Sequence, residues 1–132
     1  MNEFAVDEWQ RAIGSLKAAC HLTEIDPDSA ASRAYYAAFH AVTALFALRE
    51  QSFTKHAAMR AAVHRDLVKG GEWPEELGRD YDYLVDVCET GDYGGVSHVN
   101  EKEATEAVEK ARAILKRVHS YAADIFLTDS LD

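Results

Sequence analysis

The sequence predicts an all-α fold, a four- to five-helix antiparallel up-and-down bundle, and three observations support this prediction. Apolar residues recur every three or four positions in the long segments, which is the period of one helix face. No segment alternates apolar and polar residues as a half-buried strand does. The 132 residues include only two prolines and seven glycines, few for an all-β protein. We expect a single domain over residues 1–132.

The first two helices are predicted from their periodicity and from one start signal. The first spans about residues 4–22. The second begins after Asp26, a residue type that caps helices, with Pro27 suited to the first helical position. It continues to about Arg49, and apolar residues cover most of its circumference. This pattern is typical of a central, buried helix.

The next two helices are bounded by glycines. The third is predicted over residues 55–69, with Gly70 and Gly71 as its left-handed terminator. The fourth starts near Pro74, which a first turn tolerates. Gly91 and the pair Gly94 and Gly95 are expected to break it, so that residues 91–99 form a compact loop.

The fifth helix is predicted to follow Asn100, because Glu103 three positions later completes a sequence close to a capping box. Its apolar face is expected to comprise Ala104, Val108, Ala111, Leu115, Val118, Ala122 and Ile125.

Composition argues against several classes of function. The net charge of −9 argues against a broad nucleic-acid platform, so we expect no DNA binding and only local or partner-assisted RNA contact. Cys20 and Cys88 fit no metal-ligand pattern and are predicted to be free thiols of a reducing cytoplasm. The start of the chain does not read as a signal peptide. The most apolar run, residues 34–48, is too short for a membrane span.

Three polar side chains lie on one face of the otherwise apolar second helix. Arg33, Tyr36 and His40 are three and four residues apart, so at about 100° per residue they project in one line. One interpretation is a polar seam between helices, because buried polar groups need partners. The other is a ligand or phosphate site, in which Arg33 binds an anion and His40 titrates near neutral pH.

A second line consists of His56, Arg60 and His64 on the third helix, each four residues after the last. A solvated face is one interpretation and a ligand site the other. Two histidines that flank an arginine are a poor ligand set, so no metal site is predicted.

The glycine-flanked pair Asp92 and Tyr93 could fold back over one end of the bundle. If it meets Arg33 and His40, Tyr93 and His40 would serve as proton or hydrogen-bond partners, and Asp92 would orient one of them. If it does not, Arg33 and His40 are expected to be polar residues of the core.

Four segments resemble motifs of the HEPN family, in the subgroup that pairs with minimal nucleotidyltransferases. They are residues 32–41 (SRAYYAAFHA), 54–56, 68–78 and 91–94, the last similar to the family's Ala-Asp-Tyr element. The resemblance covers roughly residues 25–126. The chain departs from the subgroup where Cys88 replaces a usual arginine and Gly91 replaces the alanine.

The resemblance implies a helical bundle that dimerises. Many members of the family are metal-independent endoribonucleases with an Arg-x4–6-His motif, in which arginine stabilises the phosphate and histidine moves a proton at the ribose 2′-OH. Other members bind nucleotides or work with a partner nucleotidyltransferase. Arg33 and His40 have the nuclease spacing.

From the resemblance we predict a protein that acts in a toxin–antitoxin-type module with a nucleotidyltransferase partner, through protein or nucleotide/RNA binding and without a cofactor. The alternative is a metal-independent endoribonuclease toxin that uses Arg33 and His40. The predicted ligand-binding residues are Tyr36, His56, Asp92 and Tyr93.

The first testable prediction concerns assembly. The second helix has more apolar surface than one small bundle easily covers, and the resemblance implies dimerisation, so we expect a two-fold homodimer or a heteromer with a nucleotidyltransferase. Light scattering at high protein concentration measures this. A monomer, both alone and with the product of the neighbouring gene, would contradict it.

Overall fold

The chain folds into a five-helix bundle, so the predicted all-α fold is confirmed. A computed structural model describes residues 2–129 and Leu131 and contains no strand among them. The helices are α1 (Glu3–Leu22), α2 (Pro27–Leu48), α3 (His56–Ala62), α4 (Glu75–Tyr93) and α5 (Glu101–Tyr121). Within this described part, no helix combines the length and hydropathy that crossing a bilayer requires.

Helix α2 lies at the centre and packs against α1, α4 and α5. Its packing face is made of alanines, whose methyl side chains let neighbouring backbones approach closely. Seven of them are fully buried: Ala30, Ala31, Ala34, Ala37, Ala38, Ala41 and Ala44. The sequence prediction of a buried second helix is therefore confirmed.

Side-chain caps fix the starts of two helices where the sequence predicts them. The Asp26 carboxylate accepts the backbone N–H of Ser29 at 3.2 Å and so satisfies an amide that has no partner within α2. At α5, Asn100 accepts the backbone N–H of Glu103 at 2.8 Å, and the Glu103 carboxylate accepts the backbone N–H of Asn100 at 3.1 Å. The capping box is thus complete.

The third predicted helix has two parts. After α3 the chain continues as a π-helix over Val63–Val68, in which the backbone N–H of Lys69 donates to the His64 carbonyl at 2.9 Å. The wider turn inserts one extra residue, a feature that often occurs at functional sites. The helical run then ends close to Gly71, whose φ of +89° requires glycine.

Gly91 does not end the fourth helix, so that part of the prediction was wrong. Helix α4 continues through Gly91 to Tyr93 and ends before Gly94, as the pair Gly94 and Gly95 predicts. A Cβ atom at Gly91 would lie 2.6 Å from the backbone oxygen of Asp28, so glycine is needed for close packing on the start of α2. The fifth helix is shorter than expected, because Ala122 and Ile125 follow its last residue.

Asp28 ties the segment before α5 to the first turn of α2. Its carboxylate accepts the backbone N–H of Val99 at 2.7 Å and lies 2.7 Å from Nδ1 of His98. The bond from Val99, and next that from His98, lower the pKa of Asp28. Both the end of α4 and the start of α5 are therefore anchored on the beginning of α2.

The contact between Gly91 and Asp28 leads to a stability prediction with a matched control. Gly91→Ala should lower the free energy of unfolding by about 1–3 kcal/mol, because the new methyl group must displace helix backbone. Gly14→Ala adds a methyl group at an exposed α1 position with no atom within 4 Å, and should stabilise by up to about 1 kcal/mol. Urea denaturation measures both. Equal effects of the two substitutions would refute the close contact.

Candidate functional site

An aromatic cluster joins α2 to α3. The hydroxyl of Tyr35 lies 2.6 Å from Nδ1 of His56. The imidazole also stacks on Phe39, with ring centroids 4.4 Å apart and planes inclined by 19°. Tyr36 stands almost perpendicular to it, at 83° and 5.9 Å. Three side chains of α2 therefore fix the His56 ring in one orientation at the start of α3.

The hydrogen bond between Tyr35 and His56 engages Nδ1 of the imidazole, and the tautomer of His56 sets which of the two groups donates. Burial raises the pKa of Tyr35 to about 12, so its phenol stays protonated and is able to take either role.

A cavity of about 210 Å³ lies between this cluster and α4. Its walls are Tyr35, Tyr36, His56, Val85, Cys88, Glu89, Asp92 and Tyr93. The Cys88 thiol is 3.6 Å from a carboxylate oxygen of Asp92, and burial raises the pKa of Cys88 to about 11. The hydroxyl of Ser32 donates to the same carboxylate at 3.3 Å. The Cys88 thiol is therefore neutral. The Asp92 carboxylate is held in one orientation at this wall of the cavity.

The cavity extends along α3 as a depression of about 570 Å³. The two share Tyr35, His56, Val85 and Glu89, and the depression adds Ala57, Arg60, Ala61 and His64. We call the combined space the aromatic groove. Its end near Asp92 and Tyr93 is the aromatic end, and its end near Arg60 and His64 is the basic end.

The basic end is held by one carboxylate of α4. Nε of Arg60 and Nε2 of His64 lie 2.8 Å and 2.9 Å from the same oxygen of Asp82. Burial alone would raise the pKa of Asp82, but hydrogen bonds from His64 and Arg60 outweigh it, so the pKa is lowered. Two members of the line predicted on the third helix, Arg60 on α3 and His64 on the π-helical turn, therefore link this segment to α4, whereas His56 contacts α2.

His40 does not line the aromatic groove. Its Nδ1 lies 2.9 Å from the carboxylate of Glu8, whose residue is only 8% exposed, so it joins α2 to α1. Arg11 approaches the other Glu8 oxygen at 3.6 Å from an exposed position. The buried Glu8 carboxylate thus has His40 as its closest hydrogen-bond partner.

Arg33 lies on the exposed side of α2 and also does not line the groove. It makes no hydrogen bond or ion pair within residues 2–129 and 131, and its charge acts weakly on the pKa of Tyr36. Burial is the main reason that the pKa of Tyr36 is raised. Of the predicted site residues, the groove brings together Tyr36, His56, Asp92 and Tyr93, and leaves Arg33 and His40 outside.

Two polar residues of the groove, Tyr35 and Glu89, are not among the predicted site residues. The hydroxyl of Tyr35 reaches His56. Glu89 lines both parts of the groove. The adjacent tyrosines Tyr35 and Tyr36 were the available signal, since two hydroxyls on a buried helix need polar partners. Among the described residues, no cluster of His, Cys, Asp and Glu gathers to hold a metal ion.

The chain is thus an all-helical protein with an open groove between three of its helices. A family model described as the HEPN domain matches residues 5–121, so the chain belongs to the HEPN domain family, as its motifs predict. It is 35% identical over 97 residues to a UPF0332 protein of Thermotoga maritima, covering 74% of each chain.

Two further proteins are similar to this chain. One is a protein of Methanocaldococcus jannaschii named as a candidate toxin, 27% identical over 94 residues, which cover 71% of this chain and 64% of that protein. The other is TT1696 from Thermus thermophilus, known from a crystal structure. It has a TM-score of 0.77 and 25% identity over 91% of this chain and 98% of the other. This likeness supports the bundle fold.

The two histidine contacts give a matched pair of substitutions. His40→Ala leaves the buried Glu8 carboxylate without its closest partner and should lower the free energy of unfolding by about 1–3 kcal/mol. His64→Ala should cost well under about 1 kcal/mol, because Arg60 still binds Asp82 and the site is partly exposed. Thermal unfolding with circular dichroism measures both. A stable His40→Ala variant that has lost a measurable activity would favour the catalytic hypothesis for His40.

Proposed function

We propose that this protein is the HEPN component of a toxin–antitoxin-type module and acts by binding a nucleotidyltransferase partner through the aromatic groove. The observation that carries the proposal is the groove itself, an open site with aromatic and acidic walls on a protein of net charge −9. The naming of the Methanocaldococcus jannaschii relative as a candidate toxin supports the module.

The charge distribution favours a protein partner with a basic surface. Complementary potentials speed association and select the partner. The aromatic end carries the carboxylates of Glu89 and Asp92, and Asp86 lies exposed on the same helix. Tyrosines are enriched at protein interfaces, and Tyr93 is 85% exposed.

Binding of a nucleotide or of an RNA segment is the second candidate for the same groove. The rings of Tyr36, His56 and Tyr93 offer stacking faces of the kind that bind unpaired bases. Arg60 at the basic end could contact a phosphate with the N–H groups that Asp82 does not use.

Endoribonuclease activity that uses Arg33 and His40 receives less support. The two residues are seven positions apart on one helix, which is about 10 Å along its axis. Nδ1 of His40 is engaged by Glu8, and neither residue lines the groove. A pair that acts on one phosphate should converge on a common space.

The proposal requires that a nucleotidyltransferase be encoded beside this chain, and it is tested with the product of that gene. The two purified proteins should form a complex by size-exclusion chromatography with light scattering. Tyr36→Ala combined with Asp92→Ala should weaken its affinity about tenfold or more in calorimetry. Glu76→Gln, an exposed change on the same helix α4, is the control and should leave the affinity unchanged.

The contradicting outcomes are distinct. Failure to form any complex would remove the proposed partner. Metal-independent cleavage of RNA that is abolished by His40→Ala in a folded protein would establish the endoribonuclease alternative instead.

A further inference from the structure

Two carboxylates at the aromatic end of the groove have no cationic partner. Neither Glu89 nor Asp92 takes part in an ion pair with any residue that the structure describes. Asp92 receives only a weak bond from Ser32 at 3.3 Å and a thiol contact from Cys88 at 3.6 Å. Elsewhere along α4, Asp80 and Asp82 are paired with Lys110 and Arg60. The negative charge at this end of the groove is thus uncompensated.

The aromatic rings around these carboxylates form a corner. Tyr36 and His56 stand at 83° to each other with centroids 5.9 Å apart, and Tyr93 completes the lining on the α4 side. Tyrosine rings carry negative charge on their faces and attract cations placed over them. Carboxylates and ring faces therefore favour the same kind of ligand, a positively charged group.

Neither Cys88 nor the pair of Arg60 and Asp82 adds an uncompensated charge to the groove. Cys88 is neutral, because burial raises its pKa to about 11. At the far end, Asp82 already compensates the charge of Arg60. A space of about 210 Å³ at the aromatic end is left open between these walls.

We propose that the aromatic end of the groove receives an arginine side chain from the basic partner protein. This deepens the proposed function and rests on it. The guanidinium stacks on a ring at the corner of Tyr36 and His56, and its N–H groups donate to the carboxylates of Asp92 and Glu89. The planar guanidinium of arginine can stack on a ring and donate two N–H groups to a carboxylate, which the compact ammonium of lysine does less well.

A nucleotide fits this end less well. A base could stack on Tyr36 or Tyr93, but its phosphate would enter a groove that already holds the unpaired carboxylates of Glu89 and Asp92. Arg60, the arginine that lines the groove, is paired with Asp82. The charge balance therefore favours a cation over an anion at this site.

The inference is tested on the protein alone, without the partner. The probes are N-acetyl-arginine amide, N-acetyl-lysine amide and adenosine monophosphate, titrated while NMR follows the amide signals around Asp92. The arginine probe should bind about tenfold more tightly than the lysine probe, since it gains a second charge-assisted hydrogen bond. Adenosine monophosphate should bind more weakly than the arginine probe.

Three substitutions locate the site. Asp92→Asn should weaken the arginine probe about tenfold, and Tyr93→Leu about threefold, by removing the carboxylate charge and the ring face respectively. Glu76→Gln changes the net charge as Asp92→Asn does, but lies outside the groove and should have no effect. Circular dichroism of each variant confirms that it is folded.

The outcomes separate the two proposals. Equal affinity for the arginine and lysine probes, equal loss from Asp92→Asn and Glu76→Gln, or tighter binding of the nucleotide would overturn the arginine site. A partner complex whose affinity is unchanged by Asp92→Asn would also overturn the arginine site but leave the proposed function standing. Arginine binding without any partner complex would remove the proposed function and with it the partner as the source of the arginine, while the affinity of the groove for a guanidinium would stand.

Discussion

Close packing around α2 is the constraint on which the rest of the molecule depends. One helix contacts three others, and the methyl groups of its seven fully buried alanines let the backbones approach closely. Interiors are packed as densely as organic crystals, so larger side chains at these alanine positions would have no space. At the end of the bundle, the missing side chain of Gly91 likewise lets the backbone of α4 approach the start of α2 closely.

The groove exists because the sides of α2 differ in how they are covered. Seven side chains of this helix are fully buried alanines, whereas beside the start of α3 it presents Tyr35, Tyr36 and Phe39. Phe39 stacks on the imidazole of His56, and Tyr35 and Tyr36 line the groove. Asp28 and Gly91 keep the end of α4 against α2, so that Asp92 and Tyr93 stay beside the rings.

Local signals in the sequence predicted the elements well. The cap at Asp26 and the capping box at Asn100 are recognisable because each involves residues only three positions apart. Gly91 was misinterpreted as a helix breaker, since the backbone oxygen that requires glycine there belongs to a residue far away in the chain. The π-helical turn also left no signal, because its apolar spacing resembles that of an ordinary helix. The site was predicted only in part, for a related reason: spacing shows which side chains share a face of α2, but not which helix lies opposite that face. Tyr36 faces α4, while His40, one turn further on, faces Glu8 of α1.

The central position of α2 also has a consequence for the order in which the protein is made. A ribosome completes α2 early, while α4 and α5, which cover it, still have to be synthesised. Until then the nascent chain exposes an apolar face, and such surfaces promote aggregation. The groove forms only when residues 88–93 have emerged and docked. A truncated chain that ends before α4 would therefore lack the groove and the part of the core that α4 and α5 supply.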